Sequence, residues 1–142
     1  MKTILLADDS KNIREFCRQE LEEDGYRVIT AKDGLEAIHA AKTQRPDAAI
    51  LDIRMPRSGG LDAIEQIRRF DADLPVILFT SHDDACLDDA RSRLATACVE
   101  KSEDLSELKR AVLRAMSRDP VKRSFRFGLR SPFSLRAPTS VL

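Results

Sequence analysis

Two aspartates stand side by side, Asp8 and Asp9, at the end of the apolar run Ile4 to Ala7, and a third, Asp52, closes the run Ala48 to Leu51. Thr80 follows Val76 to Phe79, and Glu100 and Lys101 follow Ala97 to Val99. Carboxylates at the ends of buried strands repel one another and lose water, so they call for a compensating charge. A hard divalent cation meets that need, and Mg2+ in particular takes oxygen ligands while keeping several of its waters. A carboxylate beside such a cation stays ionised and can act as a nucleophile, while the cation stabilises charge on a transferred phosphoryl group. Thr80 and Lys101 are residue types that hold phosphoryl oxygens. Each residue also has a plainer use. Asp8 or Ser10 would cap a helix, Asp52 would sit in a turn beside Met55-Pro56, Thr80 would start a helix, and Lys101 would be a surface charge. Their conjunction at the ends of four strands is what favours chemistry.

The elements that must position them follow from the pattern of apolar residues. Strand-like runs fall at Ile4 to Ala7, Tyr26 to Thr30, Ala48 to Leu51, Val76 to Phe79 and Ala97 to Val99. Between them lie stripes of helical spacing: Ile13, Phe16, Cys17 and Leu21; Leu35, Ile38 and Ala41; Leu61, Ile64 and Ile67; Cys86 or Leu87, Ala90 and Leu94; and Leu105, Leu108, Val112 and Ala115. Gly25, Asp33-Gly34, Pro46 and Pro75 supply the breaks. Strict β-α repetition with nearly continuous apolar strands predicts an α/β fold, a doubly wound parallel sheet with helices on both faces. In such a sheet the carboxyl ends of the strands share one edge, where ligands bind. That rule gathers Asp8, Asp9, Asp52, Thr80 and Lys101 from more than 90 positions of sequence.

The chain has 142 residues, 42% apolar and 34% charged, which suits one soluble domain with a real core. No apolar run approaches the roughly 20 residues of a membrane span. Lys2 and the apolar residues after it end at Asp8 without a cleavage-type segment, so a cytoplasmic location is expected. Cys17, Cys86 and Cys98 share no metal-ligand spacing and read as reduced, mostly buried thiols; His39 and His82 are isolated. The zero net charge hides an asymmetry: residues 1–117 carry 18 basic and 23 acidic side chains, net −5, whereas residues 118–142 carry 6 and 1, net +5. The tail also holds Pro120, Pro132 and Pro138 and shows no sustained periodicity, so the expected division is a folded body 1–117 and a basic, disordered tail 118–142.

The segments "ILLADDS", "RPDAAILDIRMPRSGGLD", "LPVILFTS" and "VEKS" resemble the receiver domain of two-component response regulators, with D-x-x-M-P at Asp52 and Gly60 eight residues later as the most specific match. The resemblance covers about Met1 to Ser117 and implies a flavodoxin-like (βα)5 fold of strand order 2-1-3-4-5. It further implies that Asp52 accepts a phosphoryl group from a histidine kinase or phosphotransfer protein. Asp9 and Asp52 would bind Mg2+ directly, Asp8 mainly through water, and the Arg54 backbone carbonyl would complete the site. Thr80 and Lys101 would contact the phosphoryl oxygens.

Some positions depart from the family's pattern. Cys98 stands where an aromatic switch residue is usual, three before the lysine, and a small buried or half-buried thiol is expected there. Ser102, Leu94 and Ser81 replace the common proline, glycine and alanine. Arg54 and His82 occupy positions that, by resemblance, modulate attack of water on the acyl phosphate. A single-domain regulator acting through a protein partner is the expectation, since the 25-residue tail is shorter than the roughly 60 residues of a DNA-binding output domain. A phosphorylation-dependent dimer stays open. The alternative is a binder of nucleic acid or an anionic surface through "VKRSFRFGLR" with the receiver as a regulatory module, although nucleic acid is not the expected partner. A related metal-dependent phosphatase would need an aspartate two residues after Asp52, where Arg54 stands.

Overall fold

The structure, a computed structural model, describes residues 1–81 and 88–117. The chain runs β1 (Thr3–Ala7), α1 (Lys11–Glu23), β2 (Arg27–Ala31), α2 (Gly34–Gln44), β3 (Ala48–Asp52), α3 (Gly60–Phe70) and β4 (Val76–Thr80). A short 3-10 helix (Ala90–Leu94), β5 (Ala97–Glu100) and α4 (Ser106–Met116) complete the described elements. All pairings are parallel and the order is β2-β1-β3-β4-β5, as expected. The sheet is the flavodoxin-like one.

Period-two alternation sends the side chains of each strand to opposite faces. Ile4, Leu6, Ile50, Ile77, Phe79 and Val99 face Cys17 and Leu21 of α1 and Leu108, Val112 and Ala115 of α4. Leu5, Leu51, Val76 and Leu78 face Ala37 and Ala41 of α2 and Ile64 and Ile67 of α3. Right-handed crossovers explain the division: the chain moves one way from β1 to β2 and then reverses across β1 to β3, so α1 lies on one face and α2 and α3 on the other. The reversal opens a crevice beside the carboxyl end of β1.

Helix ends follow local chemistry. Ser10 caps α1 by accepting from Ile13 N–H at 3.3 Å, and Gly25 supplies the left-handed turn after it at φ 96°. Asp33 caps α2 by accepting from Glu36 N–H at 2.8 Å.

Three expectations need correction. Phe16 and Leu35 belong to apolar stripes but are 43% and 49% exposed, because Cys17 and Leu21, and Ala37 and Ala41, take the inward positions. Ala90 to Leu94 forms a 3-10 helix rather than a full α-helix, with none of its residues buried. Arg91 there is engaged by Asp89 and by Asp62 of α3, which holds the segment through charge instead of an apolar stripe. The other part of the expected fourth helix, with Cys86, falls in 82–87, outside the described residues. So do His82 and the tail 118–142. No helix among the described residues is long and apolar enough to cross a membrane.

Candidate functional site

The apolar strands β1 and β3 are neighbours with Ala7 opposite Leu51, so the residues that follow, Asp8 and Asp52, emerge together at the sheet edge. Both are buried, at 1% and 4% exposure, while Asp9 is exposed. One carboxylate oxygen from each of Asp8, Asp9 and Asp52 lies within 4.8 Å of the other two. Asp8 Oδ1 accepts from Ser10 N–H at 2.9 Å, and the Arg14 guanidinium donates to the Asp8 carbonyl at 2.8 Å. Asp52 Oδ1 receives a long 3.4 Å contact from Arg54 N–H.

Lys101 enters from just beyond β5. Its Nζ lies 2.8 Å from Asp8 Oδ2 and 3.3 Å from Asp52 Oδ1, 5.8 Å from the centre of the Phe79 ring. Its N–H donates to the Thr80 carbonyl at 2.6 Å, which ties the ends of β4 and β5 together. Thr80 is itself buried at 5% exposure and stands one residue beyond the partner of Asp52 in register. Glu100, expected at the same edge, is exposed and paired in register with Thr80.

The electrostatics are unbalanced. Three carboxylates face one ammonium, a formal charge of −2, and at about 3 Å each such pairing is worth roughly 5 kcal/mol at an effective dielectric of 20. Burial pushes Asp52 up to about 6, the Asp8 charge adds to the rise, and Lys101 and the Arg54 N–H oppose it. Burial pulls the Lys101 ammonium down, but the neighbouring Asp8 and Asp52 carboxylates outweigh this and leave it above its ordinary value. Asp8 Oδ2 has the ammonium close by yet receives no well-directed hydrogen bond.

These features fit a Mg2+ ion. The donors are all carboxylate oxygens, they lie within 4.8 Å of one another, and two positive charges would bring the formal sum to zero. The cluster has the chemistry to bind a divalent cation beside the Asp52 carboxylate.

Two arginines that sequence reasoning did not select border the site. Arg14 holds the Asp8 backbone, and Arg57 pairs with Asp33. Both line a cleft of about 490 Å3 that also touches Asp9, Lys32 and Pro56. Helical spacing from Ser10 was the only available signal for Arg14, and nothing in the sequence linked Arg57 to Asp33. Cys98 is exposed, not buried or half-buried as expected. Alternation on the edge strand β5 turns Val99 into the core and therefore Cys98 away from it.

Comparison with known proteins agrees with this fold. The family model described as response regulator receiver domain matches residues 4–113. A curated relative, the response regulator MprA of Mycobacterium sp. (strain KMS), is 42% identical over 80 residues, which cover 56% of this chain and 35% of that protein. The matched region is thus about a third of the length of such relatives. Among solved structures, the response regulator TrrA of Thermotoga maritima in complex with Mg2+-BeF is 39% identical with a TM-score of 0.78, over 81% of this chain and 99% of that one. The complex of histidine kinase ThkA with TrrA gives 39% identity and a TM-score of 0.76, over 82% of this chain and 100% of the matched one.

Proposed function

The chain belongs to the response regulator receiver domain family, and we propose that Asp52 accepts a phosphoryl group from a phosphohistidine on a histidine kinase or phosphotransfer protein. The observation that carries this reading is the buried Asp52 carboxylate held beside Asp8, Asp9 and Lys101 at the reversal of the sheet. The ThkA–TrrA complex, in which a similar chain meets a kinase, supports the choice of donor.

An Asp52 oxygen attacks phosphorus, the phosphorus–nitrogen bond of the donor breaks, and an acyl phosphate remains on Asp52. Bound at Asp8, Asp9, Asp52 and the Arg54 carbonyl, Mg2+ would neutralise the carboxylates and draw charge from the phosphoryl oxygens. Lys101 shifts from the Asp52 oxygen to a phosphoryl oxygen, and the Thr80 hydroxyl donates to another. Both residues border β5, so their rearrangement carries the signal outward to a protein partner. Cys98 stands in place of the aromatic residue of the usual route, so the proposed output runs through Thr80, Lys101 and the segments they join. The chain is read as a cytoplasmic phosphorylation switch that promotes only its own phosphorylation and dephosphorylation.

Incubation with acetyl phosphate and intact-mass measurement test the assignment. One added phosphoryl group is expected with Mg2+, none with a chelator and none in Asp52→Asn. Undiminished labelling of Asp52→Asn overturns it.

A further inference from the structure

Arg57 lies in the loop between β3 and α3, 24 positions from Asp33, yet its Nε and Nη2 both donate to Asp33 Oδ2, at 3.0 and 2.7 Å. The Asp33 carboxylate is almost fully buried, and its other oxygen caps α2. Arg57 is therefore tied to an anion that is itself fixed to a helix. Its backbone is left-handed at φ 62°, a conformation a non-glycine residue disfavours unless its surroundings hold it there. The next contact shows how closely the loop is seated: a Cβ at Gly34 would overlap the Ser58 carbonyl. At the far end, Gly60 N–H donates to the Ile53 carbonyl at 2.9 Å and closes the loop on itself.

The closed loop follows directly on Asp52, the last residue of β3, and carries Arg54, whose N–H is directed at Asp52 Oδ1. We propose that Arg57 is a positioning residue: its ion pair with Asp33 straps the loop to the start of α2 and so holds Asp52 and the Arg54 backbone in the geometry that Mg2+ requires. Arg57 acts through the loop and touches no reacting atom. Its effect on phosphoryl transfer rests on the phosphoacceptor reading above, whereas its effect on Mg2+ binding does not.

Calorimetric titration of the full chain with Mg2+ separates these roles, using wild type, Arg57→Gly, Asp33→Asn and the double variant. Glycine adopts the left-handed conformation freely, and asparagine keeps the helix cap while losing the charge, so each change spares the fold and removes the strap. Urea melts in chelator monitor folding separately. Each single variant is expected to bind Mg2+ about tenfold more weakly, as for lost supports of metal ligands. The double variant is expected to be no weaker than the worse single, because both remove one interaction. Acetyl phosphate labelling should slow at subsaturating Mg2+ and recover at saturation. An affinity for Arg57→Gly within about twofold of wild type, or losses that add in the double variant, overturns the strap. So does a wild-type chain that binds no Mg2+. Weakened Mg2+ binding in the variants with no phosphoryl transfer even in wild type leaves the strap standing and removes the phosphoacceptor reading.

Discussion

Lys101 is the ammonium that offsets the carboxylate cluster, with its Nζ 2.8 Å from Asp8 and 3.3 Å from Asp52. Replacing it by methionine keeps the stem against Phe79 and leaves two buried carboxylates facing each other. Loss of one partner from a buried ion pair costs about 3 to 5 kcal/mol, discounted here because Lys101 keeps partial access to water. A loss of about 2 kcal/mol in chelator is therefore expected for Lys101→Met, and Mg2+ should restore most of it by supplying the missing positive charge. Urea unfolding of both proteins with and without Mg2+ measures this. A deficit that Mg2+ leaves untouched would mean that Lys101 supports the fold by packing rather than by charge. The residues that meet in this cluster were legible because each ends an apolar run, and the parallel sheet brings such ends to one edge. Arg57 was not. Its partner is distant in sequence, and both Asp33-Gly34 and Met55-Pro56-Arg57 read locally as turns.

Among the elements, α2 depends most visibly on one side chain. Asp33 accepts from Glu36 N–H and, with its other oxygen, from Arg57, and the backbone bond to Glu36, followed by Arg57, holds its carboxyl below the ordinary value near 3.8. A carboxyl with a depressed folded pKa binds fewer protons in the folded than in the unfolded state below its ordinary value. Its stabilisation is thus complete above about pH 4 and is lost as pH falls through the folded pKa. Asp33→Ala is expected to cost about 1 kcal/mol at neutral pH for the lost cap, and the gap from wild type should narrow as the solution is acidified below about pH 4. Denaturant titrations across that range check the sign; a gap that widens in acid refutes it. The same element shows the limits of periodicity. The inner strands β1, β3 and β4 were readable because each is a short apolar run covered on both faces. Leu35 and Phe16 misled, because Ala37, two positions on, and Cys17, one position on, do the packing where the helices lie close to the sheet. The 3-10 segment misled for another reason: Arg91 and its acidic partners hold it, and apolar spacing carries no record of such pairs.

At the scale of the whole molecule, the described body contains both core layers and the complete carboxylate cluster, and the family match ends at residue 113. A folded unit of 1–117 that does not need 118–142 for its core remains our proposal. The charges suggest how the two regions act on each other, since the body at −5 repels itself and the tail at +5 offsets that repulsion. Exposed attractions of this kind are worth at most about 1 kcal/mol and shrink as the Debye length falls from about 10 Å at 0.1 M salt to about 3 Å at 1 M. Truncation after Ser117 should therefore lower stability slightly at low salt and not at all at high salt. The Mg2+-linked gain, about 2.7 kcal/mol at a hundred times the dissociation constant, should be the same in both chains because every proposed ligand lies in the body. Paired urea melts of the full and truncated chains, at low and high salt and with and without Mg2+, decide the matter. A loss of several kcal/mol that salt does not change would place part of 118–142 in the folded core, and a smaller Mg2+ gain after truncation would bring the tail into the site.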